Sequence, residues 1–187
     1  MAIYRGEYAK QVDANTGAFH VIDHKIKELH DGHTFTSGYR QDSLADQASL
    51  LIGIQTGSKE AHIEGTVTVG GNAFMDIAAF VTFSNDGTPV YVARKNGNST
   101  IAPTTAVYLN PVVNDAGITI LTDFIPGGTK SKASGGGGEA DNWGLMPNSN
   151  YLITITNKSG AAIALSIILD WIEHTNETDV YKAIQFG

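Results

Sequence analysis

From Phe19 onward, apolar side chains recur every second residue between clusters of Gly, Asn, Asp and Pro. That period, rich in β-branched and aromatic residues, predicts strands throughout. Ala61, Ile63, Gly65, Val67 and Val69 alternate with His62, Glu64, Thr66 and Thr68, giving one apolar face and one that meets water. In the next run, Ala73, Met75, Ile77, Ala79, Val81 and Phe83 share a face while Phe74, Asp76, Ala78, Phe80 and Thr82 form a mixed one, the pattern of a central strand. Ser84 to Pro89 has tight-turn chemistry and predicts a hairpin with Val90 to Ala93. Ala106 to Asn110 and Gly117 to Ile125 are expected to pair antiparallel around Pro111 and Asn114 to Gly117. Tyr151 to Thr156 and the last strand, with Ile163, Leu165, Ile167, Leu169 and Trp171 on one face, are expected to form a hairpin about Asn157 to Gly160. Only Asp42 to Ser49 has the look of a helical turn, and no internal repeat is visible. About eight to ten short strands so spaced predict an all-β chain, an antiparallel β-sandwich of jelly-roll type.

The flanks differ from this body. Residues 1–17 show neither a period of 2 nor one of 3.6 and are read as an extended N-terminal arm. Its Ile3, Tyr4, Tyr8 and Val12 are expected to order only against another surface. Residues 18–174 form the sandwich domain, within which 127–138, GGTKSKASGGGG, reads as a flexible surface loop. The tail, 175–187, carries too little to fold alone.

Charge and composition narrow the functions. Among 187 residues, 12 Lys and Arg stand against 19 Asp and Glu, for a net charge of −7. No basic cluster offsets that charge, so no nucleic-acid partner is expected. The apolar stretches fall short of the roughly 18–20 residues of a membrane span, and Met1 to Lys10 lacks a signal-peptide core, so neither membrane nor secretion is expected. With no cysteine, thiol chemistry is excluded.

Candidate catalytic and metal-binding groups do not assemble into a spaced set. His20 and His24 share a strand face but stand ~13 Å apart there, too far to chelate one ion. His30 and His33 offer a loop ligand pair, with turn and surface roles as the simpler reading. Asp76, Asp123, Asp170 and Glu173 lie in or near strands, where a glycosidase pair would sit, yet Asp170 points away from Leu169 and Trp171 and reads as solvent-facing. No G-x-S-x-G occurs, and Gly135 to Gly138 lacks the Lys and helix of a phosphate loop. Asp13 to Gly17 imitates a calcium loop whose twelfth position is His24 rather than Glu. Tyr91, Tyr108 and Trp143 would stack on sugars if exposed, with core packing as the alternative. The expectation is therefore no enzyme, no cofactor and no metal.

Several ordered landmarks carry a resemblance. They are Asn85-Asp86-Gly87-Thr88-Pro89-Val90, Asn96-Gly97-Asn98-Ser99, Trp143-Gly144-Leu145-Met146-Pro147-Asn148, Tyr151 through Gly160, and Leu169-Asp170-Trp171-Ile172-Glu173-His174. Over about residues 20–175 the chain resembles tailed-bacteriophage virion proteins of the head decoration, or cement, type. The resemblance implies a non-enzymatic structural protein, made in the host cytoplasm. It would sit as a homotrimer on the outer capsid surface and clamp neighbouring major capsid subunits. On that reading Ile3, Tyr4, Tyr8 and Val12 are the expected capsid contacts. The competing expectation is a receptor- or carbohydrate-binding module of a phage head or tail fibre; a sandwich glycan hydrolase is a third.

Overall fold

The computed structural model describes residues 24–127 and 143–174; the expected arm 1–17, the Gly-rich stretch from residue 128 on and the tail lie outside them. One helix, α1 (His24–Asp31), precedes thirteen strands. They are β1 (Thr34–Leu44), β2 (Ser49–Gln55), β3 (Glu60–Val69), β4 (Ala73–Ala79), β5 (Thr82–Asn85), β6 (Thr88–Val90), β7 (Val92–Arg94), β8 (Ala106–Leu109), β9 (Val112–Asp115), β10 (Ile118–Ile125), β11 (Trp143–Leu145), β12 (Asn150–Asn157) and β13 (Ile163–His174). The all-β sandwich expected from the period-2 pattern is what forms.

Its connectivity is that of a jelly roll. One sheet runs β11-β3-β13-β1-β7 and the other β10-β4-β12-β2-β8-β6. Without the insertion β5–β9, the eight remaining strands fall in the order sixth, third, eighth, first in one sheet and fifth, fourth, seventh, second in the other, the arrangement of two interlocked Greek keys. The apolar faces meet between the sheets. Phe35, Ile63, Val69, Leu165, Ile167, Leu169 and Trp171 face Leu50, Ile52, Ile54, Ile153 and Ile155, all buried in one cluster.

Strand positions follow the sequence, whereas three expected pairings do not. β12 and β13 are not a hairpin: β12 lies between β2 and β4, and β13 between β1 and β3. Both bury one face in the same core from opposite sheets, so alternation alone is identical for a hairpin and a sandwich corner. Asn157, fully buried, holds that corner by donating to the carbonyls of Leu44 and Ala161 and accepting from Ser159 N–H. The turn after Ser84 joins β5 to β6, yet β5 pairs with β9 and β6 with β8. Likewise β8 and β10 belong near opposite ends of one sheet.

The cause is a kink repeated 30 residues apart. Phe80 (φ 60°) and Asn110 (φ 50°) take the left-handed conformation and turn the chain off the sheet into β5 and β9. Asn85 and Asp115 each accept a hydrogen bond from the N–H two residues on, at Gly87 and Gly117. Both glycines have positive φ and return the chain to the sheet. The two halves are thus related by a local pseudo-twofold, matched by the symmetric order β10-β4-β12 and β2-β8-β6. Physical chemistry explains why it was invisible in the sequence: the shared features are backbone conformations, carried by different side chains. The β5–β9 ribbon covers part of the outer face, where Phe83 and Val113 pack on Ala78, Val81 and Leu152. Val81 and Phe83 therefore leave the face shared by Ala73 and Met75.

The helix was also not expected. Its apolar content is Ile26 and Leu29 alone, too little for a period of 3.6 to show. Its end is specified: Gly32 (φ 83°) bonds to Leu29 O and His33 N–H to Glu28 O, a Schellman closure. Asp42–Leu44, read as part of a helical turn, instead completes β1.

Candidate functional site

The two lateral sides of the sandwich differ. On one, the chain passes from β6 in the six-stranded sheet to β7 in the five-stranded sheet within the segment Thr88–Arg94, closing that side. On the other, the sheets end at β10 and at the three-residue β11, and among the described residues no strand bridges them. Strand β10 pairs with β4 alone, from Ile118↔Ala79 to Ile125↔Ala73, with an irregularity between Thr119 and Leu121.

That open edge is apolar. Ile118 is 62% exposed, Ile120 40%, Phe124 49% and Phe74 41%. The two phenylalanine rings pack edge to face with centroids 5.6 Å apart. Phe80, 53% exposed, follows Ala79, the partner of Ile118, and its left-handed backbone is costly for a bulky residue. Beside them Thr122 donates to Asp76 across the same strand pair, at 2.7 Å. The β10 sequence has the burial of an outward strand on both faces until Ile125, which enters the core.

The titratable candidates occupy separate places. Asp170 lies on the outer face and pairs with Lys95 at 3.0 Å, in accord with its expected solvent-facing role. Glu173 is fully buried at the end of the core. Its carboxylate accepts from Thr104 and Thr105 N–H, from the Thr104 hydroxyl and from Trp171 Nε1. Burial alone would raise its pKa; these donors outweigh that effect and hold it below the ordinary carboxylate value. Such a site anchors the 104–105 segment and leaves no lone pair aimed at a substrate. Asp76 and Asp123 lie on opposite faces of adjacent strands, since their partners in the ladder are Thr122 and Met75.

His33 Nδ1 meets Glu28 Oε2 at 2.8 Å, while His30 is exposed. His62 and His174 stack with centroids 4.7 Å apart and an interplanar angle of 27°. Near-parallel rings cannot both direct an in-plane lone pair at one ion so close by, and no group of three or more potential ligands converges among the described residues. His20 and the expected capsid contacts Ile3, Tyr4, Tyr8 and Val12 lie outside those residues. Of the three aromatics, Trp143 packs on the core, Tyr108 is half-buried and Tyr91 is 84% exposed on the closed side. A cleft of about 230 Å³ between α1 and the five-stranded sheet is spanned by the ion pairs Lys25–Glu64 and Lys95–Asp170.

No protein-family model matches the chain, and no curated protein matches it. Among solved structures it aligns with the VP2 subviral particle of infectious bursal disease virus at 15% identity, over 79% of this chain and 41% of that one, with a TM-score of 0.10. A superposition of that quality bears on neither fold nor function.

Proposed function

We propose that the protein is a non-enzymatic bacteriophage virion component, a capsid decoration or cement protein that self-associates and binds the outer surface of the head. The observation that carries this reading is the apolar open edge. Contiguous exposed aromatic and aliphatic side chains on a soluble domain call for burial against protein. The jelly-roll order and the ordered turn and strand landmarks of the sequence, which resemble those of head decoration proteins, support the same reading. Its work is area burial between subunits, with residues 1–12 attaching to the major capsid protein.

The test is binding of the full chain, and of a variant lacking residues 2–12, to heads stripped of the protein. Burying two tyrosines and two aliphatics at about 25 cal/mol per Å² contributes several kcal/mol per subunit. The truncated protein should therefore fold but bind heads far more weakly and fail to protect them from heat. Full-strength binding by the truncated protein removes the arm from the account; no binding by either protein removes the function. The exposed Tyr91 is the one observation that favours a glycan-binding fibre module instead.

A further inference from the structure

We infer that the open edge, Phe74, Phe80, Ile118, Ile120 and Phe124, is the surface on which a second copy of this chain docks. The inference deepens the proposed function by dividing its contacts: this edge for the neighbouring copy, residues 1–12 for the capsid.

Area supports the assignment. Five side chains exposed by two-fifths to three-fifths leave roughly 400–500 Å² of apolar surface, near the upper end of what an ordinary monomer shows in its largest patch. A standard interface takes about 800 Å² per partner with about 57% of it apolar, or about 450 Å². The strip thus supplies the apolar share of one full-sized interface. Ile118 and Phe124 mark the ends of a strand segment of about 20 Å, a span that a domain-sized surface covers and a short side chain does not.

The molecule's own closed side shows what the open side lacks. At the pseudo-symmetric end of the same sheet, β6 is followed directly by a strand that joins the other sheet. At the β10 end no described strand does so, and both faces of the edge strand remain exposed. A second copy is the protein surface present at equal concentration wherever the chain is made. The polar groups in the strip are already satisfied, Asp76 by the Thr122 hydroxyl and Asp123 by Phe124 N–H, so burial leaves no new orphan there.

Sedimentation equilibrium of the full chain tests this. The wild type should associate at micromolar concentration. The double variant Ile118→Lys, Phe124→Lys should keep its far-ultraviolet spectrum and cooperative melt while associating at least ~30-fold more weakly, the loss expected of hot-spot residues. Tyr91→Lys, on the closed side, should associate as the wild type does. A monomeric wild type, or a folded double variant that associates at full strength, overturns the inference. If the double variant fails to fold, amide exchange of the wild type above and below its dissociation concentration decides: new protection over 118–125 on association supports the assignment, and unchanged exchange there overturns it. Capsid binding by the chain lacking residues 2–12 is read separately, so either statement can fail without the other.

Discussion

Thr104 donates to Glu173 twice, through its backbone N–H at 2.9 Å and its hydroxyl at 2.8 Å. This ties the segment after the 95–101 loop to the last strand of the core. Thr105 N–H and Trp171 Nε1 complete a shell of donors around a carboxylate with no exposed surface. Glu173→Gln keeps the shape but turns an NH₂ toward these donors. It should cost about 2–4 kcal/mol, measured by urea or thermal melting.

The same shell fixes a pH dependence. Because Glu173 is held below its ordinary value of 4.5 in the folded protein, its contribution is whole above that pH and is lost as pH falls through the lower folded value. Stability of the wild type should therefore decline on acidification below pH 4.5. Glu173→Gln, weaker throughout, should show a shallower decline. Parallel curves for the two proteins would show that the carboxylate is not the group titrating.

Glycines at positive φ separate by what surrounds them. A Cβ on Gly117 would stand 2.2 Å from Ala79 O, and on Gly87 2.2 Å from Leu109 O. Both contacts are with backbone at the pseudo-symmetric crossings. Gly160 also has positive φ, 81°, with nothing within 4 Å of the added atom. Alanine at 160 should cost about 1 kcal/mol from conformation alone, whereas alanine at 87 or 117 should cost distinctly more, about 2 kcal/mol or beyond. Three melts check the order.

The histidines near the start of the domain should also separate. His30→Ala, at an exposed position, should change stability by less than about 0.5 kcal/mol. His33→Ala removes a hydrogen-bond partner of the nearly buried Glu28 and should cost about 1–2 kcal/mol. The sequence alone suggested that both were dispensable; the Glu28 contact, spanning a helix that the hydrophobic pattern did not reveal, is the reason they differ.

Tyr91→Ala should leave stability unchanged, since the ring is solvated and Ser37 bonds only to the Tyr91 backbone carbonyl. On a glycan array, the full chain should show no binding that depends on Tyr91. Binding abolished by this one substitution would favour a receptor-binding module over a cement.

Burial was legible wherever a strand faced one core. The alternation in 61–69 and 163–171 placed Ala61, Ile63, Val69, Leu165 and Trp171 inside, and the same parity puts Glu173 inward with Trp171 and Asp170 outward. Partnership was less legible, because a period of 2 states which face is buried and not which strand lies alongside. Met75 to Phe83 and Ile163 to Ile172 looked like sources of exposed apolar edge. Instead, β4 and β13 are each flanked on both sides, and the exposed edge is β10. Its Ile118 and Phe124 read as core residues from alternation, and only the topology shows that nothing described lies over them.

The central claim is that the chain coats a capsid, and copy number in purified virions of the phage that encodes it tests this most directly. Quantitative mass spectrometry against the major capsid protein should find the chain in hundreds of copies per particle, released together with loss of head stability. A count of tens or fewer, or absence from the particle, would contradict it.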